Sequence, residues 1–65
     1  MKRKKWELVC EGKLAERMEV YEIDAEYSAQ QLSKWAPLLT VELYEVLDLG
    51  AKLVSTWRKG KKVKP

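Results

Sequence analysis

Few side chains in this 65-residue chain could carry covalent chemistry. Cys10 is the single thiol and there is no histidine, so the usual base that activates a cysteine nucleophile is missing. Cys10 lies in an alternating segment, which favours a small core residue over a nucleophile. Ser33 and Lys34 are adjacent, and neighbouring residues on a helix point about 100° apart, so they do not form a serine–lysine dyad.

The acidic residues Glu16, Glu19 and Glu22 suggest paired carboxylates or a divalent-cation site. On a strand, however, Glu16 and Glu22 face one way and Glu19 the other, which is typical of a solvated surface. With no histidine and one cysteine, a structural zinc site and an intramolecular disulfide are excluded. Neither "GKLAERM" nor "RKGKK" has the spacing of a phosphate-binding loop. We therefore expect a protein that is not an enzyme and that uses no cofactor and no metal.

The charge distribution is more informative. The formal net charge is +3, yet residues 6–57 hold four Lys or Arg against ten Asp or Glu, a balance of −6. Two basic terminal segments, 1–5 and 58–65, supply the positive charge and lie next to tryptophans, which stack well on bases. The expected nucleic-acid-binding residues are Lys2, Arg3, Lys4, Lys5, Trp6, Trp57, Arg58, Lys59, Lys61, Lys62 and Lys64. Two alternatives stay open: the basic runs are solvated tails, and the tryptophans are core residues.

Length and composition predict one small domain spanning residues 1–65, near the lower size limit for folding without disulfides or metals. The hydrophobic content of 46% favours a folded chain. No apolar run approaches the roughly 20 residues that span a membrane. With its free thiol, the protein is expected to be cytoplasmic, with no membrane contact.

The segment "KWELVCEGKLAERMEVYEI" predicts a β-hairpin, because polar and apolar residues alternate on both sides of Gly12. Glycine there supplies the positive φ of a tight turn. A two-residue loop places Leu8 opposite Arg17. A three-residue loop places Trp6 opposite Met18 and Cys10 opposite Leu14, which builds the better apolar face.

The next segment, "DAEYSAQQLSKWAP", predicts a helix over roughly residues 26–36. Ser28 and Gln31 have the spacing of a capping box, and Pro37 marks the end of the helix. Ala29, Leu32 and Ala36 would form the buried stripe, with Trp35 either at the edge of the core or exposed.

The second half allows two interpretations. A long helix fits the spacing of its apolar residues and the order of its charges. Two strands fit the alternation around Val41 and Leu43, and they give Gly50 a purpose at a turn in "DLGA". We favour the strands, which makes the chain an α+β domain of ββαββ order with a small antiparallel sheet; ββα followed by a long C-terminal helix is the alternative.

The order of hairpin, "DAEYSAQQLSKWAP" helix and a strand beginning "LTVELYEV" resembles very small phage-encoded proteins of ββαβ type. The resemblance covers roughly residues 5–47. It implies an inhibitor that disables a host protein, such as RNA polymerase or a defence factor, by binding it. The third strand, "VELYEVL", is acidic where the polymerase inhibitors carry arginine, so the resemblance transfers no functional residue.

The sequence therefore predicts a small binding protein, with three candidate roles. The first is binding of nucleic acid through the basic ends and nearby tryptophans. The second is inhibition of a host protein in the manner of the phage proteins. The third is a structural homo-oligomer, a homodimer for example, held together by the edges of its sheet.

Overall fold

The computed structural model describes residues 2–63. The elements are β1 (Lys4–Cys10), β2 (Lys13–Val20), α1 (Glu22–Trp35), β3 (Val41–Leu47), β4 (Gly50–Arg58) and β5 (Lys61–Val63). All neighbouring strands are antiparallel, in the order β2-β1-β3-β4-β5. The predicted α+β class and ββαββ order are confirmed, with β5 as an additional short strand. The alternative of a long C-terminal helix is wrong.

The first hairpin turns at Glu11 and Gly12, with φ angles of 52° and 79°. Two positive φ angles are typical of the type I′ turn, which matches the twist of a hairpin. Trp6 pairs with Met18, as the three-residue loop predicts. A β-bulge in β2 then shifts the register, so that Cys10 pairs with Lys13 and not with Leu14. The expected partner of Cys10 was wrong because alternation alone cannot reveal a bulge.

The strands of the second half form a meander around two turns. Gly50, with φ of 144°, opens β4 directly after the first of these turns, which confirms its predicted place. A second bulge lies between Leu43 and Tyr44 in the pairing of β3 with β4. Val41 and Leu43 are completely buried, so β3 contributes its first half to the core.

Helix α1 begins at Glu22, well before the predicted start. Tyr21 occupies the N-cap position without a side-chain hydrogen bond, and its carbonyl oxygen accepts bonds from the backbone N–H groups of Asp24 and Ala25. The expected capping box at Ser28 is wrong, because Ser28 lies inside the helix. Two acids, Glu22 and Asp24, occupy the first turn, where the helix dipole favours negative charge.

One face of the sheet is covered by α1, and the core lies between them. The helix presents small residues to the sheet: Ala25, Ala29 and Ser33 are all fully buried at a spacing of four. Small side chains let the helix approach closely, and the large core residues come from the strands. The buried hydrophobic residues of the sheet are Trp6, Leu8, Val41, Leu43 and Trp57. On the opposite face of the sheet, called the open face below, no helix packs within residues 2–63.

Within residues 2–63 no helix is long and apolar enough to cross a membrane.

Candidate nucleic-acid interface

The two basic runs lie at opposite ends of the strands. β1 runs from Lys4 to Cys10, and Cys10 pairs with Val41. Val41 in turn pairs with Trp57, so the end of β4 lies at the Cys10 end of the sheet. The N-terminal run is therefore at one pole and the run after Trp57 at the other, and the two do not form one continuous basic patch.

The N-terminal run is partly neutralised by the acidic body of the protein. The ammonium group of Lys4 lies 3.5 Å from a carboxylate oxygen of Glu45. The guanidinium carbon of Arg3 lies 5.9 Å from the centroid of the Tyr21 ring, within the range of a cation–π contact. Lys5 pairs with Glu19 across the strands. This run offers fewer uncommitted charges than its composition suggests.

Residues 58–63 of the second basic run are part of the fold. Arg58 ends β4, Lys59 and Gly60 form the turn, and Lys61 begins β5. The φ angles of Lys59 and Gly60 are 54° and 77°, again typical of a type I′ turn. Arg58, Lys59 and Lys61 are exposed, and within residues 2–63 none of them forms an ion pair. Lys64, also expected at the site, lies outside the described residues.

A hydrogen-bond network, called the Gly60 clamp below, attaches this turn to the helix. The backbone N–H of Gly60 donates to the hydroxyl oxygen of Ser33 at 2.8 Å. The side-chain amide of Gln30 donates to the carbonyl oxygen of Gly60 at 3.1 Å. The Ser33 hydroxyl donates in turn to the backbone carbonyl oxygen of Gln30 at 2.8 Å. Both backbone groups of Gly60 are thereby satisfied by α1, and the turn is held in one position.

Two lysines complete the surroundings of the turn. A Cβ atom on Gly60 would lie 2.6 Å from Cγ of Lys34, so the stem of that lysine covers the glycine. The exposed Lys34 thus adds a positive charge beside the hairpin. Lys62 is less available, because its ammonium group is 3.0 Å from a carboxylate oxygen of Glu26. We call the four cations Lys34, Arg58, Lys59 and Lys61 the basic hairpin cluster.

Lys34 was missed in the sequence. It follows Ser33 in the middle of the chain, far from either basic run, and only the contact of α1 with the β4–β5 turn brings it there. Gly60 signals only the turn, because its positive φ already explains the glycine, and the sequence holds no signal that places Lys34 beside it.

The expectation that Trp6 and Trp57 stack on bases is wrong, because both are buried. Trp6 is 1% exposed and Trp57 is 9% exposed, so neither presents a ring face on which a base could stack. The indole N–H of Trp6 donates to the Val20 carbonyl oxygen, and that of Trp57 donates to the Ser55 hydroxyl oxygen. Both tryptophans are core residues, which was the alternative interpretation.

The exposed tryptophan is Trp35, at 84%. It lies at the C-terminal end of α1, at the same pole as the basic hairpin cluster. Its helical position is about 170° from the mean direction of Gln30 and Ser33, so it points to the opposite side of the helix. Ile23, Tyr27 and Leu38 are also exposed. Together with Trp35 they form what we call the outer apolar surface of α1 and the turn that follows it.

The two side chains considered for nucleophilic chemistry, Cys10 and Ser33, both take part in packing or hydrogen bonding within the fold. Cys10 is half-buried and packs against the core. The Ser33 hydroxyl is engaged at both its donor and its acceptor by the Gly60 clamp. Across residues 2–63, no group of three or more His, Cys, Asp or Glu side chains is arranged to hold a metal ion.

Comparison with known proteins assigns no relative to the chain. No protein-family model matches it, and no significant match was found among the curated proteins or the solved structures.

Proposed function

We propose that this protein is a small non-enzymatic binding protein that contacts the phosphate backbone of nucleic acid through the basic hairpin cluster. The observation that carries the proposal is the Gly60 clamp. It holds an exposed turn with three cations in a fixed position, and these cations have no acidic partner within residues 2–63. An ordered cation loses less conformational entropy on binding a phosphate than one on a mobile tail.

The charge of the remaining surface supports contact at the poles. Residues 6–57 carry −6, so the sides of the molecule repel a polyanion while its basic ends attract one. The tight turn carries three cations, Arg58, Lys59 and Lys61. This arrangement suits contacts to successive phosphates better than hydrogen bonds to base edges. Phosphate contacts carry little sequence information, so binding is expected to be sequence-independent.

A salt titration tests this proposal. The probes are a fluorescently labelled DNA duplex and a single-stranded oligonucleotide. The test variant is K59Q/K61Q. It should lower the magnitude of the log–log salt slope on the duplex by about 1.8, since each phosphate contact contributes about 0.9.

The matched control is K13Q/K52Q, which removes two exposed lysines outside the cluster and so changes the net charge equally. Its slope should stay near that of the wild-type protein. If the protein binds neither the duplex nor the single-stranded oligonucleotide at low salt, the proposal is overturned. An equal effect of both double variants would show that net charge, and not the hairpin, is responsible.

The outer apolar surface favours a second candidate function, binding of a host protein in the manner of the phage proteins. Exposed tryptophan is enriched at protein interfaces and often dominates their binding energy. In this case W35A/L38A should abolish capture of a specific partner from host lysate, while K59Q/K61Q should leave it intact. The reverse pattern would favour the basic hairpin cluster.

A further inference from the structure

β2 is the outer strand of the sheet and the longer of its two edges. It has eight residues, whereas β5 at the other edge has three. Six of its eight residues are exposed, and it contains no proline. The bulge between Leu14 and Glu16 interrupts the upper part of the strand, so the regular part of the edge runs from Glu16 to Val20. Within residues 2–63, the outward backbone groups of this regular part have no strand beside them, so they are available to pair with another strand.

The hydrogen bonds of β1 show which backbone groups of β2 face outward. The N–H of Glu11 donates to the carbonyl oxygen of Thr40, so odd-numbered residues of β1 direct their backbone groups towards β3. Even-numbered residues, among them Trp6, therefore bond to β2. Met18 is the partner of Trp6 and its backbone groups point inward. The backbone groups of its neighbours, Arg17 and Glu19, point to the free edge.

These two residues also carry opposite charges on one face. Arg17 and Glu19 both lie on the open face, because they flank Met18, which faces the helix. Each has an oppositely charged neighbour on β1. The Arg17 side chain lies 3.0 Å from a carboxylate oxygen of Glu7, and Glu19 pairs with Lys5 across the strands.

We propose that β2 binds β2 of a second copy of this chain, in an antiparallel arrangement centred on Met18. In this register Arg17 lies opposite Glu19 of the second copy, and Glu19 lies opposite Arg17. Their outward backbone groups exchange hydrogen bonds, and the two sheets become continuous. On the open face the charges then alternate across four strands, in the order Lys5, Glu19, Arg17 of the second copy and Glu7 of the second copy.

Neighbouring registers are unfavourable. A two-fold axis perpendicular to the sheet keeps both helices on the same face, so a residue at the centre faces its own copy. Centring the pairing on Arg17 places two guanidinium groups opposite each other, and centring it on Glu19 places two carboxylates together, which is destabilising. The Met18 register avoids both and brings two half-buried Met18 side chains together on the helix face.

The interface is short, so its affinity is expected to be modest, with a dissociation constant of about 10–100 μM. Sedimentation equilibrium from about 1 μM to 1 mM should therefore show a monomer–dimer equilibrium for the wild-type protein. A monomer mass throughout that range would overturn the proposal, whatever the outcome with nucleic acid.

Charge reversal tests the register. R17E places glutamate at positions 17 and 19, and E19R places arginine at both, so like charges face each other across the interface. Each variant alone should therefore dimerise about tenfold more weakly than wild type. An equimolar mixture restores both cross-strand pairs and should form a heterodimer of at least wild-type affinity. A mixture that associates no better than the single variants would exclude the Met18 register.

Cysteine crosslinking provides a test that does not change these charges. In C10A/M18C the two introduced thiols would face each other in a non-hydrogen-bonded pair, at a separation that suits a disulfide. Mild oxidation should give a covalent dimer. The control C10A/E16C should crosslink at least tenfold more slowly, because Glu16 lies opposite Val20 of the second copy. Equal crosslinking of both variants would contradict the register, and circular dichroism should confirm that each variant is folded.

Discussion

The hydroxyl oxygen of Ser33 lies 2.8 Å from the backbone nitrogen of Gly60 and accepts its hydrogen bond in the interior of the protein. This contact joins the helix to a turn that is rich in positive charge. Two residues separated by 27 positions in the sequence thereby help to hold the second basic turn against the helix, together with the pairing of β4 with β5. Within the described residues, no buried side-chain nitrogen or oxygen lacks a hydrogen-bond partner.

Replacing Ser33 with alanine should destabilise the protein by about 1–3 kcal/mol, because the buried N–H of Gly60 loses its acceptor. Chemical denaturation measures the change in the free energy of unfolding. S28A is the matched control, since Ser28 lies on the same helix and is only half-buried. Equal stability of S33A and S28A would contradict the importance of the Gly60 clamp.

Replacing Gly60 with alanine should cost more than replacing Gly12. Both glycines have positive φ, 77° and 79° respectively, so both substitutions carry the same backbone strain of about 1 kcal/mol. A Cβ atom at Gly12 meets nothing within 4 Å, whereas one at Gly60 collides with Lys34. Denaturation of G12A and G60A, each compared with its parent protein with and without K34A, separates the two effects. The difference between the glycines should shrink in the K34A background, and an unchanged difference would show that Lys34 is not its cause.

The three tryptophans should respond differently to substitution. W6A removes a fully buried ring and should destabilise the protein by about 3–5 kcal/mol. W35A should change stability by less than about 0.5 kcal/mol, since Trp35 is mostly exposed. Acrylamide quenching of the fluorescence provides a second readout, because loss of Trp35 should remove the most accessible component. A large loss of stability in W35A would mean that this ring packs against the protein in solution.

Stability should fall at alkaline pH through Tyr44. Burial, the nearby Glu42 carboxylate and the hydrogen bond that the phenol donates to it at 3.2 Å all raise the pKa of Tyr44 above its usual value. A raised pKa in the folded state stabilises the protein below about pH 10, where the unfolded phenol titrates, and this contribution is lost as pH rises through the folded-state value.

The free energy of unfolding of the wild-type protein should therefore decline from about pH 10 upward, and Y44F should decline less steeply. The chain has three tyrosines, so phenolate absorbance of folded Y21F/Y27F measures the titration of Tyr44 alone. Identical pH profiles for Y44F and wild type would contradict the role of Tyr44. E42Q should lower the titration midpoint, because it removes the carboxylate.

Much of the fold was predictable from local patterns. Alternation around Gly12 and Gly50 predicted the turns of two hairpins, because a tight turn restricts which residues it accepts. The start of α1 was not predictable from Ser28, since several residues before it also form helix and Tyr21 caps the helix through its backbone alone. Bulges left no trace in the pattern of polar and apolar residues.

The candidate site was only half predictable. Composition identified Arg58, Lys59 and Lys61, because clustered lysines are visible in any sequence. Their ordering depends on Gln30 and Ser33, whose polar side chains resemble those of any exposed helical residue. Tertiary contact decides this role, and a single sequence contains no record of tertiary contact.

The position of β1 between β2 and β3 has a consequence for the order of assembly. Residues 4–20 form one hairpin and residues 41–63 form a meander, and each pairs strands that are close in the chain. The β1–β3 ladder, in which Leu8 pairs with Leu43, joins these two units across the whole of α1. Because the connection between β1 and β3 is long, closing it costs the most conformational entropy, and this pairing is expected to form most slowly. The rate of folding should therefore depend on the β1–β3 ladder, while the hairpin and the meander form beforehand.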